Sequence, residues 1–461
     1  MKRKVIAVLL TSAMALSMAA CGGGGSSDGG SSDGGSSDGG SDAAATDDGA
    51  EAEGEEVSGS GGDNTLTVWT WDPNFNVYAI EKAAEIYAAN GHEGFTVEVE
   101  EVLSDDIETR LTTAISAGDL STLPDIFLMQ DNSFQKYATN YPDLFTDLTD
   151  SGIDFSQFSE AKVAYSTVDG KNLGIPFDNG AVINCIRTDL IEQAGLTLED
   201  FTDITWSQYM ELAKQVLDAT GVPMLTSQAG SPDLIMEMLQ SCGASLFNED
   251  GSVNIEGNDA LVECMEIYAQ MVADGTLVEV TDWDQYIASL NNGTAASALN
   301  GCWIMASITP QEDQSGKWQI TNMPRLERQD NATNYSNNGG SSWVISSNCA
   351  NTDLAIDFMN STFAGSTELY DDLIQKGALA TWAPAGDSEA YAQPVEFFAN
   401  QEVYALIVDY ATKTPSNITG PFYYDARDAV GVALSNIIQS GADMDSEIAS
   451  AQETVEFNMG G

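Results

Sequence analysis

From residue 64 onward, hydrophobic and polar positions alternate in a way that predicts the first elements of a folded body. Leu66, Val68 and Thr70 fall on one side and Thr67, Trp69 and Trp71 on the other, the period-two pattern of a strand. Asp72-Pro73 breaks the run, and Val77, Ile80, Ala84 and Tyr87 then mark one face of a helix. A second strand is predicted over 95–102, a helix through Ile107, Leu111 and Ile115, and a buried strand over 125–129 that Pro124 opens. This strand–helix–strand–helix–strand order predicts a mostly parallel sheet covered on both faces. The segment 174–180 is turn-like and leads into an extended run over 181–186. Helices predominate from there. Thr205-Trp206-Ser207-Gln208 reads as a capping box for a helix through Tyr209, Leu212, Ala213 and Val216. Further helical faces lie over 261–271, 354–363 and 429–438, and extended pieces return at 320–323 and 342–345.

The first sixty residues carry no such pattern. Residues 1–20 read as a secretory signal, with Lys2, Arg3 and Lys4 ahead of a short apolar stretch and small residues at Ala19 and Ala20. Met18-Ala19-Ala20-Cys21 resembles a bacterial lipobox, with Met18 where that pattern usually has Leu, and implies lipidation at Cys21. Plain secretion with an incidental cysteine is the alternative. Residues 21–63 are the lipidated cysteine and a Gly/Ser/Asp-rich tether. Its 42 residues after Cys21 form a coil of about 35 Å span, which eleven carboxylates swell further. The expected location is the outer face of a cell membrane, held by lipid alone.

Charge and cysteines narrow the chemistry. With 16 Lys and Arg against 71 Asp and Glu, the 461-residue chain carries a net charge of −55. Nucleic acid is excluded as a partner, because its binding draws on Lys and Arg neutralising phosphates. The single histidine, His92, leaves no basis for a His-centred triad or a multi-His metal site. Cys185, Cys242, Cys264, Cys302 and Cys349 lack CxxC spacing and sit in apolar surroundings, which favours buried thiols, with a Cys242–Cys264 pair left open. Asn248-Glu249-Asp250-Gly251-Ser252 imitates a calcium loop, but Leu246 and Gly257 stand where that loop needs carboxylates, so the segment reads as a hairpin turn. No cofactor is called for.

An ordered set of segments then carries a resemblance. TLTVWTWDPNF, LPDIFLMQD, LGIPFDNGAVINCIRTDLIEQAG, ITWSQYMELAKQV, ALNGCWIMASI and NNGGSSWVIS, together with the lipobox, resemble the family-1 extracellular solute-binding proteins, the receptors of sugar ABC importers. The resemblance covers 64–461 and implies an α/β periplasmic-binding-protein fold, maltose-binding-protein-like, with two lobes, a hinge and a ligand cleft between them. Lobe 1 is expected over 64–178 and 321–376, and lobe 2 over 179–320 and 377–461. Crossings are expected near 176–180, 320–323 and 377–380, where Gly and Pro can absorb a hinge rotation. The implied function is capture of a sugar or oligosaccharide and delivery to an ABC permease by a monomer.

Open α/β sheets bind ligands beyond the carboxyl ends of their strands, which places Trp71, Asp72, Gln130 and Asp131 at the cleft mouth. Sugars need aromatic platforms for their C–H faces and planar hydrogen-bonding groups for their hydroxyls. Trp71 and Trp382 are candidate platforms, and Asp72, Gln130, Asp131 and Asp178 candidate polar contacts, each with a turn or capping role as the alternative. Gly340, with Gly339 and Ser341, offers backbone N–H groups. The resemblance adds Trp303 and Tyr423 as stacking aromatics. Trp69, Trp206, Trp318 and Trp343 read more readily as packing, and Trp283 as a residue within reach of the cleft. Two alternatives stay open: the same fold carrying a polyamine, peptide or other small solute, and a secreted carbohydrate-active enzyme, for which no carboxylate pair has a distinguishing context.

Overall fold

The alternation at the start of the body is realised as β1 (Thr65–Thr70), where Leu66 and Val68 enter one hydrophobic core and Trp69 the opposite one. The structure is a computed structural model that describes residues 59–386 and 388–460, without the side chains of residues 160 and 161. The leader, Cys21 and the tether as far as residue 58 lie outside the described residues.

β1 pairs in parallel with β2 (Thr96–Glu101) and β3 (Ile126–Gln130), Val68 standing beside Val99 on one side and Ile126 on the other. Helices Tyr78–Ala89, Thr352–Ser361 and Thr367–Leu373 cover one face of this sheet, and Ser104–Ala117 and Asp131–Asn140 the other. A short hairpin, β4 (Thr167–Val168) and β5 (Lys171–Asn172), turns through Asp169 and Gly170, both at positive φ. The chain then enters its longest strand, β6 (Ile175–Arg187).

β6 belongs to both halves of the molecule. Its first part pairs antiparallel with β11 (Asn337–Ile345), Ile175 beside Trp343 and Ala181 beside Asn337. Its second part pairs antiparallel with β9 (Ser297–Gly301) and β10 (Trp318–Thr321). There Val182 and Ile186 face a core built from helices Trp206–Thr220, Asp233–Ser241, Asp259–Asp274 and Tyr423–Ser440, while Ala181, Ile183 and Cys185 face a second core with Trp318, Ile320 and Ile407. A parallel pair, β7 (Leu225–Gln228) and β8 (Leu277–Val280), lies beside β9. Each half therefore has its own core on both faces of its sheet, giving two lobes joined by extended strands.

Two expectations need correction. The sheet is mixed, because the strands that link the lobes, β6 and β11, run antiparallel to their neighbours. The 320–323 segment is also no crossing. Its first two residues end β10, on the edge of the second lobe, and Met323 and Leu326 continue into that lobe's core. The chain returns through the start of β11, so residues 321–336 lie with the second lobe. Ile320 and Met323 frame an extended piece in the sequence, whereas the chain passes back through Asn337-Asn338-Gly339-Gly340, which has no apolar signal. Later, Ala378 packs in a first-lobe core and Leu379 in a second-lobe core.

The Thr205 capping box is formed, its backbone N–H donating to Gln208 Oε1 at 3.0 Å. Residues 248–252 make a tight turn, with Gly251 at φ 80° between the bridged Phe247 and Val253. The five cysteines of the body are free and buried.

The first described residues are tied to the sheet. Asp125, buried just before β3, accepts from the backbone N–H of Gly61 at 2.7 Å, the N–H of Thr67 at 2.9 Å and the hydroxyl of Ser60. Burial alone would raise its pKa, but these donors together hold it below the ordinary carboxylate range. A depressed folded pKa stabilises the native state above the unfolded value near 4 and loses that contribution as pH falls through the folded value. Asp125→Ala is expected to cost about 2 kcal/mol at pH 7 and progressively less below pH 4. Urea unfolding of both proteins across that range checks it, and a pH-independent difference would contradict the ionised clamp.

Candidate functional site

The second lobe presents a pocket where several elements end together. β7 ends at Ser227 and Gln228, Ser231 follows, and Asp233 and Glu237 lie one turn apart on helix Asp233–Ser241. Asn300, at the end of β9, and Trp283 and Tyr286, on helix Trp283–Asn291, complete the wall. Trp283 is 36% exposed, uncommon for an indole, and its ring lies 5.8 Å from that of Trp303 at an angle of 47°. Two half-open indoles beside a cluster of amides and acids make an aromatic platform next to hydrogen-bonding groups.

Trp303 is positioned by its neighbours in the chain. A Cβ at Gly301 would stand 2.3 Å from Trp303 Nε1 and 2.7 Å from Asn338 O, so glycine there lets the indole fold back against β11. The indole N–H donates to Asn338 O at 2.9 Å. Asn338 itself holds two residues of the pocket wall: its Nδ2 donates to Glu237 Oε1 at 2.8 Å and to Asn300 Oδ1 at 2.9 Å. A residue of the linking strand β11 thus ties Trp303 to the pocket floor.

The pocket's two carboxylic groups differ. Asp233 receives Arg427 Nη2 at 2.6 Å, from helix Tyr423–Ser440. Glu237 is 1% exposed, and burial first, then the charge of Asp233, raises its pKa well above the usual range against the opposing bond from Asn338.

A second groove is lined from both lobes. Glu108, Lys136 and Tyr137 of the first lobe face Tyr424, Arg427 and Asp428 of the second. Tyr424 donates its hydroxyl hydrogen to Gln130 Oε1, a direct bond between the lobes. Tyr423 packs edge-on to Tyr424 at 5.2 Å, and burial pushes its hydroxyl up to about 12.

The residues singled out in sequence separate by surroundings. Trp303, Tyr423 and Gln130 lie at the lobe junction with partly exposed side chains. Trp71 is partly buried and packs against both first-lobe cores, and Trp382 packs against one of them while its backbone bridges Phe158. Asp72 caps the turn after β1: its carboxylate accepts from Asn74 N at 2.8 Å, and burial raises its pKa against that bond.

Asp131, expected at a cleft mouth, and Asp178, expected as a polar contact, both lie inside the junction of the lobes. Both are buried against β11, one from each side, with Asp131 paired to Lys162 and accepting from Ser342 Oγ at 3.1 Å, and Asp178 accepting from Ser341 N at 2.8 Å. Gly340 lies over this pair: at φ 109°, a Cβ would meet Asp131 Oδ2 at 2.5 Å. All three lie at the junction of β6, β11 and the helix that starts at Asp131, where the two aspartates hold Lys162 and β11 and cap neither a helix nor a turn. Trp69, Trp206, Trp318 and Trp343 are core residues. Glu237, Asn300 and Asn338 were not singled out. The only sequence signal for Glu237 was a carboxylate inside the apolar Leu234-Ile235-Met236-Glu237-Met238 run.

With this geometry in view, the relatives are informative. The family model for bacterial extracellular solute-binding proteins matches residues 82–399. A lactose-binding protein of Rhizobium radiobacter is 37% identical over 389 residues, which is 84% of this chain and 91% of that protein. An arabinooligosaccharide-binding protein of Halalkalibacterium halodurans is 22% identical over 376 residues, 77% of this chain and 80% of that protein. Among solved structures, the ABC-transporter-associated binding protein of B. animalis subsp. lactis Bl-04, in complex with β-1,6-galactobiose, aligns with a TM-score of 0.74 at 20% identity, covering 85% of this chain and 96% of that one. By sequence over most of its length and by fold, the chain belongs to the bacterial extracellular solute-binding protein family.

Proposed function

We propose that the protein captures a neutral sugar or oligosaccharide between its lobes and delivers it to the permease of an ABC importer, held at the outer membrane face by a lipid on Cys21. One observation carries the ligand class: the second-lobe pocket sets the Trp283–Trp303 platform beside polar groups that leave little free charge for a ligand. Asp233 is already paired with Arg427, and Glu237 is driven towards its neutral form. Such a pocket suits hydroxyls and gives a polyamine no counter-charge, although the chain as a whole is strongly acidic. The relatives named for lactose and for arabinooligosaccharides, and the fold neighbour holding a galactobiose, support the same class. The role is binding rather than catalysis. For the anchor, the support is the lipobox-like 18–21 segment.

Closure of the lobes is favoured only by contacts the closed state gains with ligand, so the platform should matter for affinity. Titration calorimetry with lactose, β-1,6-galactobiose, arabinobiose and spermidine tests the class. A sugar should bind and spermidine should not, and binding of spermidine alone would overturn the ligand assignment. Trp303→Ala is expected to weaken sugar binding by about 1–3 kcal/mol, the loss of a large stacked ring. Unchanged affinity in a folded variant would remove Trp303 from the site. Membrane fractionation of Cys21→Ser, expected in the soluble fraction, tests the anchor.

A further inference from the structure

We propose that Glu237 acts as a neutral carboxylic acid whose O–H reads a ligand oxygen, so that the second-lobe pocket selects uncharged hydroxylated ligands over amines. The proposal deepens the carbohydrate reading and rests on it. The geometry fixes which oxygen carries the proton. Asn338 spends its amide on Glu237 Oε1, at 2.8 Å, and on Asn300 Oδ1, at 2.9 Å. Oε1 is therefore the acceptor, and Oε2, buried and without a hydrogen-bond partner among the described residues, is the place for the hydrogen.

The groups around Glu237 come from every neighbouring element, and none supplies it with a cation. Asp233, one turn earlier on the same helix, adds negative charge. Arg427, from helix Tyr423–Ser440, is bonded to Asp233 and Asp428, and Glu237 forms no ion pair among the described residues. Tyr286, from helix Trp283–Asn291, stays neutral because burial raises its hydroxyl, and it accepts from Asn300 Nδ2 at 3.3 Å. Asn300 of β9 and Asn338 of β11 are uncharged. A carboxylate there would be buried beside another carboxylate with one donor in support, so the acid form is favoured. A neutral O–H can pair with a hydroxyl or ring oxygen, whereas an ammonium would lose its hydration with no charge in return. A pocket built on such a bond penalises ligands that cannot complete it.

The test uses the full-length protein with lactose and β-1,6-galactobiose as probes, each titrated from pH 5.5 to 9.5 against wild type, Glu237→Gln and Glu237→Ala. Wild-type affinity should fall at the alkaline end as the acid ionises. Glu237→Gln, which keeps a neutral donor and acceptor, should bind within a few-fold of wild type with a flat profile, and Glu237→Ala should bind at least tenfold more weakly. A ligand-free arm follows melting temperature against pH. The folded acid holds its proton above the value of the unfolded chain, so wild-type stability should decline relative to Glu237→Gln as pH rises from the unfolded value towards the folded one. Matching pH dependence in wild type and Glu237→Gln, or sugar binding by Glu237→Ala equal to wild type, would overturn the proposal. Wild-type protein that binds neither these sugars nor arabinobiose would instead remove the carbohydrate reading and the ligand contact with it, while the ligand-free arm would still decide whether Glu237 is a neutral acid.

Discussion

Lys162→Met is expected to lower the stability of the folded body by about 3–5 kcal/mol at pH 8, the cost of stranding a buried charge. Lys162 and Asp131 have side chains 4% and 5% exposed, and the ammonium donates both to Asp131 and to Ser341 O at 2.9 Å. On the far side of the same strand, Asp178 holds Ser341 through its N–H and hydroxyl. The lysine therefore serves two buried carboxylates and fastens β11 where the lobes join. Burial already pushes Asp131 up to about 6 in the native protein, against the opposing pull of Lys162. Without the cation its folded pKa rises further, so the variant takes up a proton on folding and its stability falls as pH rises from the unfolded carboxylate value through the new folded one. The deficit should be smaller at pH 5 than at pH 8, and the double variant Asp131→Asn with Lys162→Met should recover most of it. Urea unfolding at the two pH values reads the difference. Wild-type stability in Lys162→Met at pH 8 would mean that the pair contributes nothing to the fold.

The same contacts explain what the sequence could and could not disclose. β1 and β3 were legible from apolar or alternating residues that must be buried on a sheet, and β2 from its alternation; Trp69 could be read as packing from its place in β1, and Trp343 from the alternating end of β11. The first part of the linking strand was not legible, because Asn337 to Gly340 meet the rest of the protein through backbone and amide groups rather than apolar surface. Asp131 looked like a ligand contact because an aspartate after a strand looks the same whether it faces a cleft or a buried lysine, and Asp178 because nothing in its turn-like sequence context shows that Ser341 comes to bond it. Lys162, 31 residues further along, carries no local signal of its partner. Trp303 was placed through family resemblance, but its geometry depends on Gly301 and Asn338, which come together only in the fold. Glu237 escaped for the converse reason: a single acid in an apolar helix face reads as solvated until its burial is known.

The second large effect is expected at Gly180, where alanine should cost about 3 kcal/mol and weaken sugar binding beyond what lost stability explains. A Cβ there would stand 1.9 Å from Asn338 O and 2.5 Å from Asn338 C. Both are backbone atoms that cannot rotate away, so β6 and β11 must separate where their register already shifts, between Asn337 and Gly340. The displaced carbonyl is the one that accepts from Trp303, on a residue whose side chain also holds Glu237 and Asn300. Moving Asn338 therefore disturbs the aromatic platform and the pocket floor together, although residue 180 need not touch the ligand. Gly420, with nothing within 4 Å of its notional Cβ, is the matched control, and alanine there should stay within about 0.5 kcal/mol of wild type. Denaturant unfolding and sugar titration of both variants separate the two effects. If Gly180→Ala behaves like Gly420→Ala in both, the close approach of β6 to β11 does not govern the site. If it loses stability but binds sugar normally, the link from Asn338 to the pocket is wrong while the packing argument stands.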